Sequence, residues 1–484
     1  MQDRKKITFG IASGFSPLVG ADLFLKRVKS AFVNNDPHHF NVIVEEQQLP
    51  EEYSQRDSDH KPGERKLHIY DMIQQLVSRK ADYIMLNCFI SHTFIDELAE
   101  AINIPIINMM EGLKYCIQSK YPKVKKIGIL TSDYVKKKKL FEKYFDAQDY
   151  ELVYPDPNIQ ADCLMEAMYR SEGIKADHLS GKAIENLETA CEHLVSRGAD
   201  LIIPGFNQTS PVCDVLLRKK HFNLIDSSRV YADWAIQSYS QVSAIRQRRI
   251  GIIGGIGPLA TVDLMEKIIN NTPADKDQEH LKMIVEHNPQ IPDRTAHLLE
   301  DKEDPIIPLY SCAKKLEQRE ADFIVIPCNT AHAFVDRIQR HLSIPIINMI
   351  EEVVKCIGDK YSRAGTIGLL ATSGTIQTKI YHSAFEKTDI QLIIPDETHQ
   401  ELVMQAIYGE NGVKAGITRG EPEEKLLQAA SFLVSQGARV LILGCTELPL
   451  LLAENEKYVI AGKEIVILDP TNILARKCVQ LMLT

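Results

Sequence analysis

Four continuous apolar runs, each opened by an alanine and closed by a turn, set the rhythm of the chain: Ala81-DYIMLN-Cys88, Ala199-DLIIPG-Phe206, Ala321-DFIVIP-Cys328 and Ala438-RVLILG-Cys445. A second apolar element precedes each of them, at Gly10-IASGFSP, Gly128-ILTSDYV, Gly251-IIGGIGP and Gly368-LLATSGT. Runs such as Ile250-GIIGG and Phe323-IVIP are apolar at every position, so they predict strands covered on both faces. Segments such as Ala260-TVDLMEKIINN carry helical periodicity. Alternation of the two predicts an α/β fold with parallel-rich sheets flanked by helices. In such sheets ligands collect beyond the carboxyl ends of the strands, which is where Cys328 and Cys445 fall.

The spacing shows how the pattern arose. From the leading glycine to the marked residue the distance is 78, 78, 77 and 77 residues in the four quarters. The segments Ile104-PIINMMEGLKYCI and Ile344-PIINMIEEVVKCI lie 240 apart, as do Tyr154-PDP and Ile394-PDE, and Gly173-IKAD lies 239 before Gly412-VKAG. Periodicity of this kind marks duplication. It predicts two domains, residues 1–245 and 246–484, each of two pseudo-symmetric lobes, with the boundary in the polar stretch Gln241–Arg249.

Composition narrows the setting. The chain is 44% hydrophobic and 25% charged with a net charge of −9, which provides for large cores and leaves no basic footprint for nucleic acid or an anionic membrane. No stretch is apolar for long enough to span a bilayer. Met1-QDRKKITFGIASG imitates a signal peptide, but Gly and Ser break its apolar part and it is repeated at Arg249 to Gly257, so it reads as a first strand. The ten cysteines have no disulfide-framework or CxxC spacing, and reduced thiols in a cytoplasmic protein, without a metal, are expected.

Most of these cysteines read as small buried apolar residues: Cys116, Cys163, Cys191, Cys213, Cys312, Cys356 and Cys478 lie in or near helical periodicity. Cys328 and Cys445 differ because Asn329-Thr330 and Thr446-Glu447 follow at once, polar groups suited to a carboxylate at a strand-to-helix junction. Two thiols at equivalent positions of two related lobes could serve one carbon acid, one removing a proton and the other returning it on the opposite face. A thiol with an ordinary pKa of about 8.5 is suited to both roles, and neither requires a cofactor.

Pro327-CNTAH and Gly444-CTELP, together with Gly254-GIGPLATVD and Asn288-PQIPDRT, resemble the cofactor-independent, two-cysteine aspartate/glutamate racemase family, in particular its aspartate branch, over about Arg249–Thr484. Glutamate racemases typically carry Asp-Ser in the first glycine loop and His after the second Cys-Thr; here Gly257-Pro258 and Glu447 stand there. The resemblance implies two tandem racemase-like domains acting on an amino acid, most directly aspartate, with glutamate or another amino acid as the alternative, and with Cys328 and Cys445 as the acid/base pair. It further implies Asn329, Thr330, Thr446, Arg294, Lys414, Gly257, Thr372 and Glu447 as substrate-binding positions. An arginine fork at Arg294 would fix a side-chain carboxylate; the alternative is a solvated loop arginine.

The N-terminal copy departs from this pattern. Cys88 is followed by Phe89-Ile90, Phe206 takes the second cysteine's place, and Leu49-PEEYSQRD has no Pro-Asp-Arg-Thr, although Lys175 remains. Two-base chemistry needs two bases, so this half is expected to be a degenerate copy, serving as an intrachain pseudo-dimer partner; a further oligomer is compatible with this. Three other readings stay open. Gly255-IGPLA with Glu286 fits a relaxed dinucleotide pattern and hence an NAD-binding oxidoreductase, against which Pro258 and the paired cysteines argue. The chain could also be an amino-acid-binding regulator without turnover. His92 and His332, four residues after a cysteine, could form Cys-His pairs or only pack and cap. Lys136–Lys139 reads as a solvated helix face.

Overall fold

A computed structural model describes residues 7–13, 40–46, 62–176, 178–218, 222–244, 247–386 and 388–484. The chain divides into two compact units, Met1–Arg246 and Gln247–Thr484. In the first unit β1 (Ile7–Ala12), β2 (Phe40–Glu45), β3 (Tyr83–Leu86) and β4 (Ile106–Ile107) form a sheet of order β2-β1-β3-β4, and β5 (Lys126–Leu130), β6 (Glu151–Val153) and β7 (Leu201–Pro204) form β6-β5-β7. In the second unit β8 (Ile250–Gly254), β9 (Met283–His287) and β10 (Phe323–Val325) pair as β10-β8-β9. There β11 (Thr366–Ala371), β12 (Gln391–Ile393), β13 (Val440–Gly444), β14 (Asn455–Ile460) and β15 (Lys463–Leu468) pair as β12-β11-β13-β15-β14. Every quarter thus places its first strand between its second and third, and each of these pairings is parallel.

The repeated residues have a packing reason. The glycine of each first strand faces the helix that feeds the third strand. A Cβ on Gly10, Gly128 or Gly251 would stand 3.0, 3.1 or 2.9 Å from the methyl of Ala81, Ala199 or Ala321, and one on Gly368 would meet Leu441 and Leu433 at 2.6 and 2.9 Å. Small residues on both sides let helix and sheet approach closely. The aspartate after each of the first three alanines accepts an amide hydrogen at or next to the start of the neighbouring strand: Thr8 N to Asp82 at 2.9 Å, Lys126 N to Asp200 at 2.9 Å and Arg249 N to Asp322 at 2.7 Å. The motif therefore fixes both the approach and the register of two strands far apart in sequence.

Parallel pairing is interrupted once among the described residues, which a parallel-rich sheet allows. β14 and β15 form an antiparallel hairpin on the edge of the last sheet, turned by Ala461 and Gly462 at φ of 49° and 74°, the left-handed pair that a tight hairpin requires. β14 is exposed at most positions and β15 opens on two exposed charged residues, so neither strand is apolar throughout. Within the second unit, helix Pro470–Leu483 returns to the first lobe, where Leu474 and Cys478 share a core with Leu264 and Ile268. The seven cysteines read as core residues all lie in helices, five of them fully buried and Cys163 and Cys356 partly so. Lys136–Lys139 is exposed.

Candidate active site

Both marked cysteines of the second unit leave the carboxyl ends of strands. Cys328 follows β10 by three residues and Cys445 follows β13 directly. The loops they open are held from within. Thr446 Oγ1 donates to Pro327 O at 3.1 Å, which ties the second cysteine loop to the residue just before Cys328. A Cβ on Gly444 would stand 2.6 Å from the end of the Leu369 side chain and 2.9 Å from the Ala371 methyl, so glycine lets the strand end pack closely just before Cys445.

Around Cys328 the polar groups are organised by neighbouring helices. His332 is buried, its Nε2 accepts the Met349 amide at 3.1 Å, and its Nδ1 lies 2.9 Å from Cys328 O. Since Nε2 is an acceptor, the proton is on Nδ1 and is donated to the carbonyl. Burial lowers the histidine's pKa, in keeping with a neutral ring. Both ring nitrogens are therefore committed to backbone, which favours the packing and capping reading of the histidine: His332 braces the cysteine loop against the start of helix Met349–Lys360 instead of addressing the sulfur. Asn329 Oδ1 accepts from Tyr381 at 2.6 Å, while its buried Nδ2 has no partner. Thr330 and Thr372 lie with Thr375 in a buried cluster of hydroxyls 2.8–3.2 Å apart, and Thr372 also caps helix Ser373–Gln377.

Arg294 begins helix Arg294–Glu300 and is 7% exposed, so the solvated-loop alternative falls. Its Nη1 donates to Pro292 O at 3.0 Å, its Nε has no partner, and its charge acts on the Cys328 sulfur within hydrogen-bonding reach. Burial works against its charge; Cys328 and Asp293 outweigh that and raise its pKa.

The surroundings of Cys445 are of the opposite kind. Its Sγ donates to Glu447 Oε2 at 2.9 Å. Burial first, then the Glu447 carboxylate, raises the thiol well above its ordinary range, opposed by Lys414. Lys414 Nζ stands 3.8 Å from Asp293, 4.0 Å from Glu447 and 4.4 Å above the Tyr408 ring. Burial disfavours this ammonium, but Glu447, Tyr408 and Cys445 hold its pKa above the usual lysine range. Burial pushes the Tyr408 phenol up to about 12.

These groups line one narrow cleft, whose cavity volume is about 10 Å³ in this structure. Of the sequence-derived set, Cys328, Cys445, Asn329, Thr330, Thr446, Arg294, Lys414, Thr372 and Glu447 line it; Ile256, Thr295 and Tyr408 line it as well and were missed. Tyr408 ends helix Glu397–Tyr408 six residues before Lys414, a proximity that would have drawn notice only with the helix end in view. Gly257 is outside this lining, and at φ +87° its missing Cβ leaves the room that Glu447 fills, 2.5 Å from where that carbon would be. The glycine thus makes room for a carboxylate side chain of the site. The same contact bears on the dinucleotide pattern, whose second glycine is thus covered by Glu447, while Glu286 pairs with Lys315 at 2.6 Å.

The first unit keeps the scaffold and loses the polar network. His92 repeats the brace, with Nδ1 2.9 Å from Cys88 O and Nε2 accepting Met109 N at 3.1 Å. Where the second unit joins Asn329 to Tyr381, the first stacks Phe89 on Phe141 at 5.7 Å between ring centroids. Thr330 and Thr375 are replaced by Ile90 and Val135, both buried, and Thr372 by Ser132, which still caps its helix through Val135 N. At the Thr446 position Asn207 Nδ2 donates to Asn87 Oδ1 at 2.6 Å. The segment Leu49–Asp57 and the Lys175 side chain lie outside the described residues.

A parallel α/β unit with paired cysteines at its strand ends defines the class, and sequence comparison agrees. The family model for Asp/Glu/Hydantoin racemase matches residues 16–233 and again 253–478, and the chain belongs to that family as a tandem of two copies. It is 29% identical over 238 residues to the broad specificity amino-acid racemase RacX of Bacillus subtilis (strain 168), covering 48% of this chain and 96% of that protein. It is 32% identical over 161 residues to the glutamate racemase of Shewanella woodyi (strain ATCC 51908 / MS32), covering 33% of this chain and 57% of the relative. Among solved structures, Picrophilus torridus aspartate racemase is similar at 28% identity and a TM-score of 0.41, covering 49% of this chain and 94% of that one. No helix among the described residues is long and apolar enough to cross a membrane.

Proposed function

We propose that the Gln247–Thr484 unit interconverts L- and D-aspartate, with Cys328 and Cys445 as the two acid/base groups. The observation that carries this reading is the pairing of both sulfurs in one cavity with two buried, unpartnered donors, Arg294 Nε and Asn329 Nδ2. Buried donors without acceptors are costly, and a dicarboxylic amino acid offers carboxylate oxygens to both. One sulfur, as thiolate, takes the Cα proton; the other, as thiol, delivers one to the opposite face. Arg294 stands beside Cys328 and Lys414 beside Cys445, so each sulfur has a cation near it to support its thiolate when its turn comes. The choice of an acidic substrate follows from these two cations, and the names of the relatives, which include aspartate, glutamate and broad-specificity racemases, agree with an amino acid of this kind.

The test is the circular dichroism of purified L-aspartate incubated with the protein and no added cofactor. Decay of the signal to zero, with deuterium entering Cα in D2O, is the expected result. Binding without decay would favour the amino-acid-binding regulator. Decay for alanine but not for aspartate or glutamate would overturn the substrate assignment alone.

A further inference from the structure

The two sulfurs are not equivalent at rest, and the difference is traceable to one carboxylate. Cys445 Sγ donates to Glu447 Oε2 at 2.9 Å in a buried setting, with Cys445 6% and Glu447 5% exposed. Thr446 Oγ1 lies 3.4 Å from the same oxygen. The other oxygen, Oε1, sits in the space left by Gly257 and 4.0 Å from Lys414 Nζ. The carboxylate is thus fixed at both ends and its acceptor faces the thiol. Around Cys328 the corresponding neighbour is the Arg294 guanidinium.

We propose that Glu447 is a positioning residue that holds the Cys445 proton, so that Cys445 rests as the thiol donor and the resting form takes the Cα proton of the enantiomer that presents it to Cys328. This rests on the two-thiol reading above. The proton balance is closed: Cys328 thiolate takes the Cα proton, Cys445 gives its own to the other face, and the enzyme is left with Cys328 as thiol and Cys445 as thiolate. That thiolate now faces the Glu447 carboxylate. Repulsion between the two favours reprotonation of Cys445 from solvent and loss of the Cys328 proton, which restores the resting form. Besides Glu447, the ionisable groups facing Cys445 are Lys414, Tyr408 and Tyr381; of these only Lys414 is a cation that favours its thiolate.

The assignment is tested on the full chain by iodoacetamide labelling of Cys445 as a function of pH, read by peptide mass spectrometry. Poor access slows labelling without moving its midpoint. In the wild type the midpoint is expected above the ~8.5 of an ordinary thiol, and a midpoint at or below that value overturns the proposal without any variant. In Glu447→Gln the midpoint should fall by about one unit or more, a tenfold gain in thiolate at fixed pH. An unchanged midpoint would assign the effect to burial and overturn the role of Glu447. If Glu447→Gln does not fold, Glu447→Asp, which keeps the charge but draws it back by one methylene, should still lower the midpoint, and no change there counts against the proposal. Labelling is independent of turnover, so a protein without racemase activity would sink the proposed function while the thiol assignment is judged on its own. In an active enzyme, kcat/KM for the two enantiomers must remain equal because the equilibrium constant is one, and Glu447→Gln is expected to change kcat and KM unequally between them.

Discussion

At the scale of single residues, the site is a set of charges distributed between two sulfurs. Removing either sulfur removes one face of the proton exchange, so Cys328→Ala and Cys445→Ala should each lower racemisation by about 10²–10⁴-fold or more, with melting behaviour close to the wild type. Substantial activity in either folded variant would rule out the two-thiol mechanism. Arg294 is buried with one free nitrogen. If that nitrogen meets the distal carboxylate, Arg294→Ala should cost roughly 2–5 kcal/mol of transition-state binding for aspartate and much less for neutral amino acids. Equal losses for aspartate and alanine would move Arg294 to the α-carboxylate or to the loop's own structure.

At the scale of elements, the histidine brace links a cysteine loop to a helix start in both units. His332→Ala would leave the Met349 amide and the Cys328 carbonyl without their partner and should destabilise the second unit by about 2–4 kcal/mol, measured by chemical denaturation. The same brace predicts a pH dependence. Burial holds His92 at about 4 against 6.5 when free, and His332 is lowered for the same reason. Between those values the unfolded chain binds a proton that the native state does not. Stability is therefore fully present above about pH 6.5 and falls as the pH drops toward about 4, by roughly 3 kcal/mol for His92 alone. A flat profile over that window, or a rising one on acidification, would contradict the neutral, backbone-bonded assignment.

At the scale of the whole molecule, one copy carries a polar cavity and the other has replaced two of its polar pairs by apolar ones. The replacements are matched: Asn329 and Tyr381 give way together to Phe89 and Phe141, and Thr330 and Thr375 to Ile90 and Val135. Changing only Asn329 or only Tyr381 would have left a buried polar group unpaired. The first copy is thus expected to be silent for reasons beyond its missing cysteine. Cys88→Ala should leave racemisation nearly unchanged. In a Cys328→Ala background, Phe206→Cys should not restore it. Inactivity of the first variant, or recovery in the second, would show that the N-terminal copy takes part in the chemistry.

Much of this was legible from the sequence because it is encoded locally. The apolar runs, the recurrent glycine and the Ala-Asp pair specify strands, helices and their close approach through period and size alone, and their repetition at near-constant spacing announces the tandem family. The cysteines and their Asn-Thr and Thr-Glu followers could be singled out for the same reason, since strand ends are where a parallel sheet exposes side chains. What the sequence left undecided concerns partners far apart along the chain. That Glu447 would accept the Cys445 hydrogen bond with one oxygen and fill the space of Gly257 with the other, that His332 would turn both nitrogens to backbone, and that Tyr408 would join the cavity depend on how two lobes pack. Two lobes can carry the same local pattern and still bring different side chains together, because contact distances of a few ångströms are set by the packing of whole elements and not by the residues on either side.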